Sequence, residues 1–248
     1  MALIHSFEKS GNYLFRYRSY FPILLFLIAI PVIYKTDYQR IPLELRYALT
    51  AVAIILSSIG LFIRAVSIAT TPKGTSGRNT KVGQVAETLN TNGIYSAVRH
   101  PLYVGNFFMW IGITVFTYNI FYIILVSLIF WLYYERIMFA EERFLESKFG
   151  KEYLDWSLKV PAFIPTFNNY IPSDTSFSLV SILRREYSGF LAIVFSFAFI
   201  DHLRYFFTYR SLEWNRASTW ALLAAIVITL TLRTLKHHTQ VLHEQDRS

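Results

Sequence analysis

Cysteine is absent from all 248 residues, and this absence excludes a disulfide scaffold, a cysteine nucleophile and a zinc site with cysteine ligands. Charged residues are also scarce, at 16% of the chain, whereas 54% of the residues are hydrophobic and 18% are aromatic. So few charges cannot cover the surface of a soluble globule of this length. The composition therefore predicts a polytopic membrane protein.

Six apolar segments are long enough to cross a bilayer core of about 30 Å as helices, some of them tilted or flanked by snorkelling side chains. Their approximate spans are 19–34, 46–68, 101–117, 119–139, 188–207 and 216–235. Only Thr117, Tyr118 and Asn119 join the third segment to the fourth, so these two form a tight antiparallel hairpin. The first segment has no small-residue cleavage pattern after it, which favours a retained span over a signal peptide. The fold class expected is an all-α helical membrane bundle.

The basic residues predict the orientation of this bundle. If the N-terminus is cytoplasmic, eighteen of the 24 lysines and arginines, Arg64 among them, belong to the cytoplasmic side, and six to the other side. This bias fits the positive-inside rule and predicts that both termini face the cytoplasm. The sequence pI of about 9.6 does not indicate a nucleic-acid partner here, because the charges flank apolar spans, where they serve topology and contact with anionic lipid.

Two long stretches interrupt the pattern of short loops, at about residues 69–100 and 140–187. Long loops in a compact fold are usually functional or disordered, and the aromatic content of the second stretch favours function. Residues 75–79 can be interpreted as a flexible loop or as a phosphate-binding turn that includes Arg78. The absence of repeats predicts one membrane domain over residues 1–248. Consecutive aromatic residues are typical of an interfacial belt: Phe130, Trp131, Tyr133 and Tyr134.

Two polar motifs flank the predicted hairpin. The first motif overlaps the start of the third span and has the sequence Arg99-His100-Pro101-Leu102-Tyr103-Val104-Gly105. The second motif follows the fourth span and has the sequence Glu141-Glu142. Pro101 suits the first turn of a helix, so the span is expected to begin there with His100 as its N-cap. Arg99 and His100 would then lie at a positive helix N-terminus, which favours anions. An antiparallel hairpin places both motifs at its open end.

The order and spacing of these motifs resemble the isoprenylcysteine carboxyl methyltransferase and phospholipid methyltransferase family over about residues 75–165. The resemblance implies an integral-membrane enzyme with S-adenosylmethionine as cofactor and a catalytic core at residues 75–165. It also implies a lipid or prenylated, lipid-like acceptor at the cytoplasmic interface, where the loops form the cofactor pocket. Two further helices within residues 188–236 lie outside the resemblance.

Such a cofactor needs a cation for its carboxylate, an anion for its ammonium, an apolar slot for adenine and electron-rich groups near its sulfonium. Arg99 offers the planar cation, either acid of the pair the anion, and Tyr95 and Tyr103 aromatic faces. Gly93 and Gly105 permit close backbone approach. The residues expected to bind the cofactor are Leu89, Gly93, Tyr95, Arg99, His100, Pro101, Tyr103, Gly105, Glu141 and Glu142. The family alignment favours Glu142 over Glu141.

We expect Glu142 and His100 to have catalytic roles. His100 would be the general base that a protonated amine acceptor requires. Arg136 is the nearest match to a substrate-orienting arginine of the prenylcysteine enzymes, and Arg78 is a second substrate-binding candidate. We expect no metal, because His237, His238 and His243 fit a solvated tail better than a ligand set.

Two other interpretations remain open. Membrane sterol and steroid reductases that use NADPH carry a similar string, although this chain has Leu102 and Asn106 where those enzymes show asparagine and glutamate. A non-catalytic transporter or scaffold is the second alternative. The predicted spans contain hardly any acidic or basic residue at the middle of the membrane, which argues against a transport path; the candidates are Asp201 and His202, near the end of the fifth span. The sequence names neither the acceptor nor the oligomeric state.

Overall fold

Helices dominate the fold. A computed structural model describes residues 2–72, 74–75, 78–80, 83–168 and 170–244, and for residues 78–80 and 83–85 it describes the backbone alone. Within these residues the helices run over Leu3–Arg16 (α1), Phe21–Lys35 (α2), Leu43–Ala69 (α3), Pro101–Val115 (α4), Ile120–Phe149 (α5), Lys151–Ser157 (α6), Leu179–Tyr209 (α7) and Ala217–His238 (α8). Arg78–Thr80 (β1) and Gly83–Val85 (β2) pair as a short antiparallel ribbon. The predicted helical membrane bundle is confirmed.

The number of membrane-spanning helices is lower by length and composition than the six that the sequence predicted. Among the described residues, α3, α5, α7 and α8 are long and apolar enough to cross a membrane, and the bent pair of α1 and α2 makes a fifth candidate. The third predicted span corresponds to α4, an apolar helix of 15 residues. A helix of that length rises only about 22 Å, which is less than the bilayer core.

The hairpin of α4 and α5 forms as the connector predicts. Pro101 occupies the first turn of α4 with His100 at the N-cap, and α4 ends at Val115. Asn119 caps the next helix, because its side chain accepts a hydrogen bond from the backbone N–H of Tyr122. The turn between the helices is so short that the beginning of α4 and the end of α5 lie at the same end of the bundle.

Helix α1 is an element that the apolar runs of the sequence do not predict. It is amphipathic, it meets α2 at an angle of 82°, and its buried residues are Gly11 and Phe15. Gly11 packs directly on α5, where an added Cβ would lie 2.7 Å from the Cβ of Ala140. The close approach of the two backbones therefore fixes α1 against the second half of α5.

Small residues bring α3 and α4 into close contact. A Cβ added at Gly60 would lie 2.7 Å from the backbone nitrogen of Met109, and one added at Gly112 would lie 2.6 Å from the carbonyl oxygen of Ala53. A Cβ added at Gly105 would lie 2.5 Å from the Cγ of Arg64, so Gly105 faces the same interface. Membrane helices associate through such small residues because lipid supplies no hydrophobic drive between helices. The interface positions the N-terminus of α4 against the end of α3.

The aromatic residues of α5 are not the interfacial belt that the sequence predicted. Phe130 is fully buried, Tyr133 and Tyr134 are each 5% exposed, and only Trp131, at 48%, faces outward. Positions three and four apart share one face of a helix, so these three rings point into the bundle together with Ile137. They form a buried aromatic cluster directly behind the first motif.

Candidate active site

The backbone around the first motif is held by the segment that follows α6. The N–H of Arg99 donates to the carbonyl oxygen of Pro161 at 2.9 Å, and the N–H of His100 donates to that of Ala162 at 3.2 Å. Further along, Ile171 accepts a hydrogen bond from the N–H of Gly93 at 2.9 Å. Described residues of the segment between α6 and α7 thus pack against the first motif.

Glu142 joins the two motifs. Its Oε1 atom accepts a hydrogen bond from His100 Nε2 at 2.8 Å and lies 3.1 Å from Arg99 Nη2. Arg99 Nη1 also donates to the backbone oxygen of Ser157 at 2.7 Å. The prediction that the open end of the hairpin brings both motifs together is confirmed by these distances. One carboxylate oxygen therefore fixes the side chains of both Arg99 and His100.

Glu141 makes a second connection between α4 and α5. The hydroxyl of Tyr103 donates to Glu141 Oε2 at 2.8 Å, and the His100 ring stacks on the Tyr103 ring with centroids 5.5 Å apart. All three residues are buried. Glu141 Oε2 also lies 3.7 Å from His100 Nδ1, so the histidine stands between the two glutamates. Arg99 contacts Glu142, and Tyr103 contacts Glu141.

A buried ion pair lies beside this network. Arg64 on α3 binds Glu186 on α7 through two hydrogen bonds, Nε to Oε2 at 2.9 Å and Nη2 to Oε1 at 2.6 Å. Arg64 Nη1 donates to Asn106 Oδ1 at 2.7 Å, and Asn106 Nδ2 donates to the hydroxyl of Tyr134 at 2.9 Å. This chain of contacts connects α3, α4, α5 and α7 with bidentate geometry at its centre.

A cavity of about 560 Å³ opens between these two networks. Eight of the ten residues expected to bind the cofactor line it: Leu89, Tyr95, Arg99, His100, Pro101, Tyr103, Glu141 and Glu142. Its volume falls in the range of about 300–1,000 Å³ that is typical of small-molecule sites. The structure therefore brings most of the predicted site into one concave space.

Three other predicted residues do not line this cavity. Gly93 adopts φ of 62°, and a Cβ there would lie 3.1 Å from the Cβ of Ser173. Gly105 packs against α3, as described above. Arg136 faces α1, with its Nη1 3.4 Å from Ser10 Oγ and its guanidinium 4.4 Å from the centre of the Phe7 ring. Arg78 lies on β1, and its side chain is outside the part of the chain that the structure describes.

Burial alters the acidity of two tyrosines at the cavity. It raises the pKa of Tyr95 to about 12, with a smaller contribution from the negative charge of Glu141. Burial also raises the pKa of Tyr153 on α6, and the nearby Glu142 carboxylate adds to this effect. Both phenols therefore remain protonated near neutral pH and act as neutral, electron-rich rings or as hydroxyl donors.

Several lining residues were not identified as site residues from the sequence. They are Arg18, Arg64, Asn106, Tyr134, Trp156, Arg185 and Glu186, which come from six different elements or loops. Arg64 had been counted only as a topological charge, although an arginine within an apolar helix is itself a signal of function. Glu186 stands in the charged run Arg184-Arg185-Glu186, where nothing local separates a buried acid from a solvated one.

Two buried nitrogen atoms of the cavity lining have no hydrogen-bond partner among the described residues. They are Nε of Arg99 and Nε1 of Trp156. Buried polar groups are usually hydrogen-bonded, so orphaned donors at a cavity wall indicate a place where a ligand accepts hydrogen bonds. Within the same described residues, no group of three or more His, Asp or Glu is arranged to hold a metal ion.

Comparisons with known proteins match the part of the chain that builds this site. Residues 48–152 match the family model described as phospholipid methyltransferase. A protein-S-isoprenylcysteine O-methyltransferase of Schizosaccharomyces pombe is 42% identical over 78 residues, which is 31% of this chain and 33% of that relative. A relative of the same name from Tribolium castaneum is 35% identical over 82 residues, 33% of this chain and 29% of its own.

A third relative carries a different name. The cobalt-zinc-cadmium resistance protein CzcN of Cupriavidus metallidurans is 35% identical over 104 residues, 42% of this chain and 48% of the relative. The matched part covers less than half the length of each of these three proteins, and no solved structure matches the chain. Residues 48–152 nevertheless include the α4–α5 hairpin with both of its motifs, and this segment belongs to the phospholipid methyltransferase family.

Proposed function

We propose that this protein transfers a methyl group from S-adenosylmethionine to the polar group of a lipid or lipid-like acceptor at the membrane interface. The observation that carries the proposal is the single cavity in which both family motifs meet, with charged groups around Glu142 and apolar side chains on the membrane side. The family description and the names of two relatives, which refer to phospholipid and isoprenylcysteine methyl transfer, support this reaction class.

The residues of the cavity fit the cofactor. The orphaned donors of Arg99 and Trp156 are suited to the carboxylate of the amino-acid end, and Glu142 or Glu141 to its ammonium group. Leu89 and Tyr95 would form the slot for adenine. In this arrangement Glu142 has two functions, since it also holds Arg99 and His100 in place.

The cofactor, when bound, supplies an electrophilic methyl group on a positively charged sulfur. The chain's own contribution is to align an acceptor with that methyl group and to exclude water, and alignment alone supplies up to ~7–11 kcal/mol in favourable cases. An anionic oxygen acceptor attacks without a base. For a protonated amine, the candidate base is Nδ1 of His100, because Nε2 is bound to Glu142.

The acceptor end of the cavity is apolar. Its lining includes Pro22 of α2, Met109 and Trp110 of α4 and Ala192 of α7. These side chains continue from the charged groups toward the spanning parts of the helices, so a greasy tail is accommodated while the polar group remains at the interface. This gradient favours a lipid-like acceptor over a water-soluble one.

Sidedness, domain organisation and the remaining assignments are part of the same proposal. We place the cavity and both termini in the cytoplasm, because the basic residues concentrate at that end. Glu186 and Ala192 of α7 line the cavity, which supports one membrane domain with residues 75–165 as its core. The substrate-binding roles of Arg136 and Arg78 and the cofactor roles of Gly93 and Gly105 stay predictions from the sequence.

The decisive experiment follows labelled methyl groups from S-adenosylmethionine into solvent-extracted lipid of membranes that contain the protein. We expect Arg99→Gln to reduce the amount of label in the lipid by at least about tenfold, because the variant lacks the charged donor that would bind the carboxylate of the cofactor. The matched control is Arg143→Gln, which removes an arginine at the surface of α5 that pairs with Glu146, and its activity should stay within about twofold.

Failure of the wild-type protein to bind S-adenosylhomocysteine while folded would refute the proposal. Binding of NADPH by the same preparation would favour the reductase alternative.

Trp156→Phe tests the fit of the cofactor more finely. The substitution keeps an aromatic ring but removes the orphaned Nε1–H, so affinity for S-adenosylhomocysteine should fall about three- to tenfold with little change in unfolding temperature. Isothermal titration calorimetry measures this affinity. Trp131→Phe, on the outward face of α5, serves as the control and should bind as the wild type does. Equal affinity of all three proteins would mean that the Trp156 donor does not contact the cofactor.

A further inference from the structure

A second polar cavity lies at the end of the bundle opposite the active site, where α3 begins and α7 ends. Its volume is about 400 Å³, and its lining includes Arg46, Arg204, Arg216 and Asp201. None of these residues takes part in the site described above. Arginine side chains that surround a cavity at a helix end form a typical environment for an anion.

Two of the three arginines are fixed by Asp201. Arg216 donates to both of its carboxylate oxygens, at 2.7 and 2.8 Å, and Arg204 Nη2 lies 3.3 Å from Oδ1. The Arg204 guanidinium is also 4.0 Å from the centre of the Phe116 ring and donates to the Phe116 carbonyl oxygen at 3.0 Å. One aspartate therefore arranges two guanidinium groups but neutralises only one of their charges.

Arg46 supplies the third positive charge. Its Nε atom is buried, and it has no hydrogen-bond partner among the described residues. A buried charged donor without a partner is costly unless something else accepts its hydrogen bond. Because the side chain lines the cavity, an anion inside the cavity is the partner that its position implies.

An apolar cavity of about 780 Å³ adjoins the polar one. The two share Thr50, Phe116, Asp201 and Arg216, so they meet at the Asp201 cluster. From there the apolar cavity follows α7 back to Phe190, between side chains of α3 and α8. The eleven helical steps from Asp201 to Phe190 correspond to about 17 Å along α7. This length is roughly half of the bilayer core, which is the depth of one leaflet.

The net charge of the residues that line the two cavities favours a ligand with one negative charge. Three arginines face two carboxylates, Asp201 and Glu213, and Glu213 already accepts a hydrogen bond from the backbone N–H of Asn215 at 2.8 Å. We propose that the two cavities together bind one anionic phospholipid of the leaflet opposite the active site. Its phosphate contacts Arg46 and Arg216, and an acyl chain lies in the apolar cavity.

The test compares lipids with identical acyl chains on the purified full-length protein. The protein in detergent is titrated with dioleoylphosphatidylglycerol or dioleoylphosphatidylcholine, and retained lipid is counted by native mass spectrometry. We expect about tenfold tighter retention of phosphatidylglycerol, because only this lipid leaves a net negative charge for the arginines. Arg46→Gln should remove this preference. Arg40→Gln should keep it, because Arg40 is an exposed arginine of the same end that lines neither cavity.

A second pair of variants tests the acyl chain independently of charge. Ala221→Trp fills the apolar cavity and should weaken retention of both lipids about tenfold. Leu223→Trp should not, because Leu223 is exposed on the opposite side of the same helix and does not line the cavity. Equal retention of the two lipids by the wild type, or wild-type retention by Arg46→Gln, would overturn the proposal. Displacement of phosphatidylglycerol by equimolar inorganic phosphate would also overturn it, because the site would then recognise an anion alone. The Arg99→Gln variant should retain both lipids as the wild type does, whether or not the protein is a methyltransferase, because Arg99 lines neither of these two cavities.

Discussion

Replacement of Glu142 by glutamine is expected to lower kcat/KM for the proposed methyl transfer by about 100-fold, since the neutral amide weakens two hydrogen bonds to a charged group of roughly 1.5–3 kcal/mol each. The carboxylate accepts from His100 at 2.8 Å and lies 3.1 Å from Arg99, so it links both side chains of the first motif to α5. Transfer of labelled methyl groups into the lipid fraction measures the effect. Glu142→Asp keeps the charge and should recover part of the activity.

Glu146→Gln is the control for this experiment. Glu146 lies one helical turn further along α5, pairs with Arg143 at the surface and does not line the cavity. Its substitution should change activity by less than about twofold, as surface ion pairs contribute little. If Glu142→Gln were as active as Glu146→Gln in equally stable protein, the carboxylate would not organise the site.

Gly60→Leu is expected to lower the thermal unfolding midpoint by about 10 °C and to abolish cofactor binding. Even a single Cβ at this position would lie 2.7 Å from the backbone of Met109, so a leucine forces α3 and α4 apart. The displacement reaches the active site because α4 begins with the first motif. Tryptophan fluorescence of the detergent-solubilised protein records the unfolding midpoint.

The matched control places the same leucine on the outer face of α3. Ala51 is exposed and faces away from α4, so Ala51→Leu should shift the midpoint by less than about 2 °C. An unfolding midpoint of Gly60→Leu close to that of Ala51→Leu would show that the two helices are free to separate. The close packing would then not be required for stability.

The predictions from the sequence succeeded where the signal was local. Pro101 favours the first turn of a helix, and a connector of a few residues allows only an antiparallel hairpin, so the meeting of His100 with Glu142 followed from spacing. Eight of the ten residues predicted to bind a cofactor then line one cavity, although most of the cavity's other lining residues were not predicted.

The failures concern contacts between distant parts of the chain. Arg64 and Glu186 are separated by 122 positions, and each stands in a sequence context that reads equally well as a charge at the membrane surface. Phe130, Tyr133 and Tyr134 look like an interfacial belt when read consecutively, but their helical spacing turns them inward. Helix α1 was not predicted because its apolar residues recur at helical spacing along one face and do not form a continuous apolar run.

The pairing of Arg64 with Glu186 limits how the segment that matches the family could be transferred into another protein. Residues 48–152 contain the arginine but not its glutamate, which α7 contributes from outside the family match. A chimera built from that segment alone would bring a buried guanidinium without its counter-ion, a defect that costs about 3–5 kcal/mol. The smallest transferable unit of this protein therefore includes the first turns of α7.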